Sequence, residues 1–193
     1  MKVLGITGGV GSGKSEVLNF LHQQYGGVIC QLDEVAKELE QKGQSCYEEI
    51  VERFGGKILD EDEELDRGRL ADTVFGDALQ LKQLNEIVHP KVREWVKEDI
   101  SKKERMGMPL YIIEAALLPG AGYEEICQEM WYIYADEKVR RERLKASRGY
   151  TDEKISRMMQ SQPSEATFRE TCTVVIDNSR TFDDTKKQIG EKL

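Results

Sequence analysis

Residues 8–15 read Gly-Gly-Val-Gly-Ser-Gly-Lys-Ser, and they match the pattern G-x-x-x-x-G-K-[ST] at every fixed position. A short β-compatible run, residues 3–6, precedes this stretch, and helical periodicity follows it with Val17, Leu18 and Leu21. The order is therefore strand, glycine loop and helix. Glycines let the backbone fold around an anion, and the successive N–H groups present positive potential to phosphate oxygens. The stretch predicts a nucleotide-phosphate site.

Two side chains at the end of this loop have the chemistry that a nucleotide requires. Lys14 can reach the β- and γ-phosphates as a point charge, which also makes it a predicted catalytic residue. The Ser15 hydroxyl can complete the shell of a Mg²⁺ ion that keeps several waters. We expect ATP to be bound by Gly8, Gly9, Val10, Gly11, Ser12, Gly13, Lys14 and Ser15. A glycine-rich turn with no ligand would not explain a lysine followed by a serine.

A second strand is predicted at residues 28–32, after Gly26 and Gly27 end the first helix. Asp33 then lies at its carboxyl end. Ligands of open parallel sheets collect beyond the carboxyl ends of strands, so Asp33 is expected to bind substrate and to accept a hydroxyl proton as a catalytic base. The alternative is that Asp33 caps a helix beginning at Glu34.

The middle of the chain, from about Glu34 to Arg105, has no convincing strand and is predicted to be an inserted helical region. Its helical stretches are separated by Gly43, Gly55-Gly56, Gly76 and His89-Pro90. Further short apolar runs follow at residues 110–113, 130–135 and 173–176. Strands that alternate with helices predict an α/β protein with about five parallel strands.

The net charge of −8, from 28 basic and 36 acidic residues, disfavours nucleic acid as a partner. We expect no membrane partner either, because no apolar run approaches the ~18 residues of a membrane span. The 4 cysteines are scattered, and we interpret them as buried free thiols in a reducing compartment. These features predict a cytoplasmic protein that acts on small molecules as a monomer or weak homo-oligomer.

Positive charge is concentrated in one stretch of this acidic chain. Five cations fall within residues 140–148, and Arg157 follows on a second predicted helix beyond Gly149. Two such helices predict a lid that closes over ATP and brings a guanidinium to the transition-state charge. Arg140 and Arg143 are the expected catalytic arginines, and Arg148 is expected to bind ATP. The alternative is a solvated helix face paired with nearby glutamates.

The phosphate loop alone does not distinguish a kinase, a GTPase, a motor and a passive nucleotide sensor. No N-K-x-D base-reading motif occurs in the sequence, which disfavours a GTPase, and the short chain disfavours a motor. A carboxylate for the acceptor, a charge clamp and a lid together favour phosphoryl transfer to a small acceptor.

The ordered set of motifs resembles the dephospho-coenzyme A kinase family over nearly the whole chain. The matching stretches are residues 5–15, Asp33, Leu65-Asp66-Arg67, Leu70, Val74-Phe75, Ile87-Val88-His89-Pro90, Glu114, Leu117-Leu118, the arginine lid and Val175-Ile176-Asp177-Asn178. The resemblance implies that ATP, with Mg²⁺, phosphorylates the ribose 3′-hydroxyl of dephospho-coenzyme A. It also implies that Asp33 is the general base and that the helical insertion holds the acceptor.

The resemblance further implies one domain with a three-layer P-loop NTPase fold. Its core would comprise about 1–33, 108–136 and 170–193, with a helical acceptor-binding insertion at about 34–107 and a small helical lid at about 137–165. Arg67, His89 and Leu117 match as substrate contacts, and Asn178 matches as an ATP-binding residue. Glu114 matches an acid that binds Mg²⁺ through water or positions Lys14. Arg67 could instead pair with neighbouring acids, and His89 could simply terminate a helix.

Several positions depart from the family pattern. Gln31 replaces the first acid of an acid-x-acid pair, and Pro119-Gly120 replaces the Phe-Glu of a P-L-L-F-E motif. Thr173 stands where aspartate is common, and Arg148 is shifted by one residue. Two other functions stay open: another nucleoside monophosphate or small-molecule P-loop kinase, and a non-catalytic nucleotide-binding module that would need neither Asp33 nor a lid.

Overall fold

The structure, a computed structural model, describes residues 1–116, 118 and 121–193. The chain forms two compact units. The first comprises residues 1–30 and 102–193, and the second comprises residues 31–101. Each unit has its own arrangement of helices and strands.

The first unit is built on a five-stranded parallel sheet with the strand order β2-β3-β1-β4-β5. Its strands are β1 Lys2–Thr7, β2 Gly27–Gln31, β3 Leu110–Glu114, β4 Glu129–Tyr134 and β5 Val174–Asp177. The helices of this unit are α1 Lys14–Tyr25, α6 Glu137–Arg148, α7 Asp152–Gln160, α8 Glu165–Thr171 and α9 Phe182–Gly190. The predicted α/β class and strand number are confirmed.

The core of the first unit explains why its strands are nearly continuous apolar runs. Leu4, Ile6, Ile112, Trp131 and Ile133 are fully buried in the sheet, packed with Val17, Leu18, Leu21 and Ile189 from the helices. Both faces of a parallel sheet are covered by helices, so a strand there has no polar face. Burying each large side chain contributes about 1.5–3 kcal/mol to stability. The glycine loop therefore follows a rigid central strand, β1.

The second unit is helical among the residues that the structure describes, as the sequence predicts. Its helices are α2 Leu32–Leu39, α3 Tyr47–Phe54, α4 Arg67–Val74 and most of α5 Ala78–Arg105, with a 3₁₀ turn at Gly56–Ile58. The predicted break at His89-Pro90 is wrong, because α5 continues through Pro90. Proline deprives the Glu86 carbonyl of its helical partner, but Glu86 is exposed and water can replace that partner.

The beginning of α2 also differs from the sequence prediction. The helix starts at Leu32 with Gln31 in the capping position, so Asp33 is the second helical residue. The interpretation of Asp33 as the cap of a helix beginning at Glu34 is therefore wrong. Asp33 and Glu34 both lie in the first turn, where carboxylates stabilise the positive end of the helix dipole.

All four cysteines are buried free thiols, as predicted. Burial raises the pKa of Cys127 to about 12 and that of Cys172 to about 11. Both thiols are consequently protonated and unreactive at neutral pH.

Within the described part of the chain, no helix is long and apolar enough to cross a membrane.

Candidate active site

The loop between β1 and α1 is held in a shape that requires glycine. Gly13 caps α1 in the left-handed conformation, with φ of 88°. A Cβ atom at this position would also overlap the Asn178 Nδ2 atom. Any other residue would therefore be strained and would push the loop from its support. α1 begins at Lys14, directly after the loop, and the N-terminus of a helix favours an anion, so loop and helix together provide an anion site.

Lys14 extends over its own loop. Its Nζ donates a hydrogen bond to the Gly8 carbonyl at 2.7 Å and lies 4.0 Å from the Glu114 Oε1 atom. Glu114 ends β3, where it lies in register with Ile6 of β1. Both charged side chains are only 15% exposed, so their charges are poorly screened by water. The predicted neighbours Lys14 and Glu114 thus meet at the carboxyl end of the sheet.

The donors around the loop suit a hard cation that is bound mainly by phosphate and water. Ser15 presents an exposed hydroxyl at the first turn of α1, and Glu114 supplies a carboxylate. No group of three or more His, Cys, Asp or Glu side chains is arranged for metal binding among the described residues. Mg²⁺ typically takes only one or two protein ligands and otherwise binds waters and substrate phosphates, so the two donors fit it.

Asn178 supports the loop from behind. Its side chain is 1% exposed, and its Nδ2 donates to the Ser12 carbonyl at 2.8 Å. Its Oδ1 accepts a hydrogen bond from the Thr185 hydroxyl at 2.8 Å. Both ends of the amide are therefore used within the protein. Asn178 links the loop to α9 and would affect the binding of ATP by holding the loop in its conformation.

We expect Asn178→Ala to lower the free energy of unfolding by about 1–3 kcal/mol, because it removes two buried hydrogen bonds and leaves a cavity. Urea unfolding of wild type and variant measures this difference. Arg180→Ala is a suitable control, since Arg180 is exposed and its loss should change stability by less than about 0.5 kcal/mol. Equal destabilisation by the two substitutions would remove Asn178 from its supporting role.

The two helices predicted to form a lid, α6 and α7, are joined through Gly149, and two of the cations in this stretch connect them. Arg141 pairs with Glu137 at 2.8 Å and with Asp152 at 3.7 Å. Lys145 pairs with Asp152 at 2.7 Å. Because both cations bond the partner helix, they hold the lid together, and they match the alternative interpretation of a helix face paired with acids.

Two other lid cations contact the phosphate loop. Arg140 donates from Nε to the Val10 carbonyl at 2.8 Å. Arg143 donates from Nη2 to the Asn178 carbonyl at 2.9 Å and from Nη1 to the Ser12 carbonyl at 3.4 Å. Arg140 and Arg143 are three residues apart and therefore share the face of α6 that meets the loop. The structure thus brings both predicted catalytic arginines to the predicted nucleotide site.

Arg148 has a different environment from these two arginines. It is exposed at the end of α6 and hydrogen-bonds Tyr150, which lowers the pKa of that phenol. Lys154 adds to this effect from 3.8 Å above the Tyr150 ring. Arg148 has no contact with the loop in the described structure comparable to those of Arg140 and Arg143, and its proposed role in ATP binding requires the lid to move.

Sequence reasoning missed one residue that contacts the loop. Gln162 lies in the segment between α7 and α8, and its side-chain oxygen accepts hydrogen bonds from Val10 N–H and from Arg140. A single glutamine in a polar segment has no motif that could reveal this role. Only its position inside the predicted lid, about 137–165, was a usable signal.

The predicted acceptor residues of the second unit are accessible. Asp33 is exposed in the first turn of α2. Arg67 is 54% exposed at the start of α4 and lies 3.6 Å from Glu40. Burial raises the pKa of Glu40 despite the opposing effect of Arg67. The anticipated pairing of Arg67 with an acid therefore exists, but its partner Glu40 caps the C-terminus of α2 and is not an acid that neighbours Arg67 in the sequence.

His89 lines an open groove of about 520 Å³ on one face of α5. The groove also contains Leu81, Lys82, Glu86 and Arg93, so it combines apolar surface with two basic side chains and one acid, which pairs with Lys82 at 3.7 Å. Partial burial and the nearby Arg93 cation lower the pKa of His89. Leu117, the remaining predicted substrate contact, and Pro119-Gly120 lie outside the described residues.

Comparison with known proteins gives consistent matches. A family model described as dephospho-CoA kinase matches residues 2–184. A dephospho-CoA kinase of Carboxydothermus hydrogenoformans is 33% identical over 98% of this chain and 91% of its own, and one of Enterococcus faecalis is 35% identical over 100% and 96%.

Solved structures extend the comparison to the fold. TT1252 from Thermus thermophilus has a TM-score of 0.81 at 30% identity, covering 99% of this chain and 95% of its own. A dephospho-CoA kinase from Campylobacter jejuni has a TM-score of 0.71 at 21% identity, covering 100% and 96%. At this lower identity the likeness shows a common fold.

Proposed function

This chain belongs to the dephospho-CoA kinase family, and we propose on that basis that it transfers the γ-phosphoryl group of ATP to the ribose 3′-hydroxyl of dephospho-coenzyme A. The observation that carries the proposal is the intact phosphate loop, on which Lys14 and Arg140 converge, in a chain that matches the family over residues 2–184. The reaction produces coenzyme A and ADP.

ATP binds through the loop and the N-terminus of α1. The backbone N–H groups of the loop donate to phosphate oxygens, and Lys14 adds a positive charge where negative charge develops during transfer. The hydrogen bond from Lys14 to the Gly8 carbonyl holds the ammonium over the loop, where the phosphates of ATP would lie.

Ser15 and Glu114 would hold Mg²⁺, the first directly and the second through water or by positioning Lys14. The ion would supply charge neutralisation between the β- and γ-phosphates of ATP. The exposed Ser15 hydroxyl and the little-exposed Glu114 carboxylate support this assignment.

Asp33 is the proposed general base. Its carboxylate accepts the proton of the 3′-hydroxyl while the oxygen bonds to the γ-phosphorus and the bond from phosphorus to the bridging oxygen of ADP breaks. Two features support the assignment. Asp33 follows the carboxyl end of β2 by two residues, and its side chain is exposed and therefore accessible.

The helical unit would hold the acceptor through Arg67, His89 and Leu117. Arg67 offers an exposed guanidinium that suits the pyrophosphate of dephospho-coenzyme A. The groove that contains His89 offers apolar surface beside Lys82 and Arg93, and Phe75 of the same unit is 88% exposed. A long ligand with a charged part and an aliphatic part matches these surfaces.

Arg140 and Arg143 are the proposed catalytic arginines, and Arg148 joins the ATP site when the lid closes. We expect residues 140–157 to gain hydrogen-exchange protection when ATP analogue and dephospho-coenzyme A bind together, because closure excludes water from the lid. Exchange measured by mass spectrometry with each ligand alone provides the control. Identical exchange with and without both ligands would contradict a closing lid.

An assay of acceptor specificity tests the proposed acceptor. The enzyme is incubated with γ-labelled ATP and with dephospho-coenzyme A, AMP or shikimate, and transfer to each acceptor is measured. We expect transfer to dephospho-coenzyme A alone. No transfer to dephospho-coenzyme A, with transfer to either other acceptor, would assign a different small-molecule kinase activity.

The cellular compartment in which the protein acts is inferred from its thiols and from its proposed phosphoryl donor. The four buried free thiols support a reducing environment, and ATP is the proposed phosphoryl donor. Both features favour the cytoplasm as the place of action. The proposed substrates are small molecules.

A further inference from the structure

Gln162 connects the segment between α7 and α8 to Val10 of the phosphate loop. Its Oε1 atom accepts a hydrogen bond from Val10 N–H at 2.9 Å and another from Arg140 Nη2 at 3.3 Å. Val10 and Gln162 are 152 residues apart in the sequence, so the contact joins separate parts of the first unit. One neutral oxygen thereby receives a donor from the loop and a donor from the lid.

Arg140 completes a closed set of three hydrogen bonds. Its Nε donates to the Val10 carbonyl at 2.8 Å, so the Val10 backbone binds Gln162 through its N–H group and Arg140 through its oxygen. The guanidinium lies against Gly9, where a Cβ atom would be only 2.6 Å from Arg140 Cζ. Glycine at position 9 therefore permits the close approach, and Gln162 fixes the orientation.

The three hydrogen bonds fix Arg140 through protein groups alone. A flexible arginine side chain loses rotamer entropy when it is fixed in one conformation. Because protein groups order the side chain, this loss does not have to occur during phosphoryl transfer, and the guanidinium is preorganised for the transition-state charge. Two anchors at Nε and Nη2 define the plane of the group, which one anchor could not do.

The Gln162 side chain carries no charge, and this property is as important as its position. A carboxamide oxygen orients a guanidinium without cancelling its charge, whereas a carboxylate in the same place would form an ion pair with it. An ion pair would weaken the field that Arg140 directs at the phosphates. The residue type therefore fits a positioning role, since glutamate has nearly the same shape but the wrong charge.

We propose that Gln162 is a positioning residue for phosphoryl transfer, which holds the Arg140 guanidinium over the phosphate loop and leaves its positive charge available. Gln162 acts through Arg140 and does not itself contact the reacting atoms. The proposal rests on the proposed function, in which Arg140 stabilises the transferring group.

A double-mutant cycle tests the proposal. Gln162→Ala should lower kcat about tenfold with little change in the KM for dephospho-coenzyme A, because orientation matters most in the transition state. In an Arg140→Ala background the same substitution should change kcat by less than about twofold, since Gln162 has no arginine left to orient. Equal factors in the two backgrounds would show that Gln162 does not act through Arg140.

Two further variants separate positioning from packing. Gln162→Glu keeps the size of the side chain but should also lower kcat about tenfold, because its carboxylate neutralises Arg140. Gln160→Ala removes a carboxamide from the exposed end of α7 and should change kcat by less than about twofold. Wild-type kcat in both Gln162 variants would overturn the proposal.

A measurement without substrates distinguishes failure of this proposal from failure of the proposed function. In ¹⁵N-labelled protein the Arg140 Nε–H should exchange slowly with solvent, and Gln162→Ala should accelerate that exchange while the Gln160→Ala variant does not. If the wild type fails to phosphorylate dephospho-coenzyme A, the proposed function fails while the exchange result still tests the positioning of Arg140. Unchanged exchange in Gln162→Ala would contradict that positioning.

Discussion

Asp33→Asn is expected to lower turnover by at least ~100-fold, the range of a general base, while leaving the affinity for ATP nearly unchanged. The amide has the size of the carboxylate but does not accept a proton at neutral pH. ATP affinity should persist, because the loop and Lys14 are assigned to the phosphates of ATP, whereas Asp33 is assigned to the acceptor hydroxyl. Initial rates of ADP release and calorimetric titration of ATP measure the two quantities separately.

Glu34→Gln is the matched control for this substitution. Glu34 is exposed in the same first turn of α2 and carries the same charge, but its carboxylate pairs with Lys37. We expect its turnover to stay within about twofold of wild type, as for most surface substitutions. If Asp33→Asn and Glu34→Gln had the same modest effect, Asp33 would not be the base.

Lys14→Ala is expected to damage both binding and chemistry. The substitution should lower kcat by about 10²–10³-fold, the effect of removing one preorganised group that stabilises transition-state charge. It should also weaken ATP binding at least ~10-fold, because the ammonium contacts the phosphates in the ground state as well. Steady-state rates and ATP titration report these losses.

Lys187→Ala controls for the loss of one positive charge from an acidic protein. Lys187 is exposed on α9, and its removal should alter kcat by less than about twofold. An unaffected Lys14→Ala variant would contradict the assignment of residues 8–15 as a phosphate loop. Loss of turnover with full ATP affinity would instead restrict Lys14 to the chemical step.

The part of the site that the sequence predicts best is the part with the strictest backbone demands. The loop can be located from its glycines, because Gly13 must adopt a positive φ and allow Asn178 to approach. The flanking strand and helix follow from apolar periodicity, since a buried parallel strand has no polar face. These constraints are local in the sequence and can be read without knowing the tertiary structure.

The lid shows what local patterns leave undetermined. Charge content predicts a lid of two helices, but Arg140 and Arg143 contact the loop whereas Arg141 and Lys145 pair with acids of the lid. Helical spacing separates these two pairs onto different faces. Which face meets the loop depends on tertiary packing, and so does the contact of Gln162 with Arg140.

Helix boundaries in the second unit depart from prediction for the same reason. Pro90 normally disfavours a helix interior, but α5 continues because Val88, Val92 and Val96 are buried on its other side. Burial of three such side chains outweighs the cost of about 3 kcal/mol for an interior proline. A single-sequence propensity cannot include burial that is created by distant residues.

Transfer of label from γ-labelled ATP to the ribose 3′ position of dephospho-coenzyme A tests the assigned reaction most directly. The wild-type enzyme should convert dephospho-coenzyme A into labelled coenzyme A, and it should transfer no label to the 3′-deoxy analogue, which lacks the attacking hydroxyl. Release of all the label as inorganic phosphate, or equal labelling of the 3′-deoxy analogue, would contradict the assigned reaction.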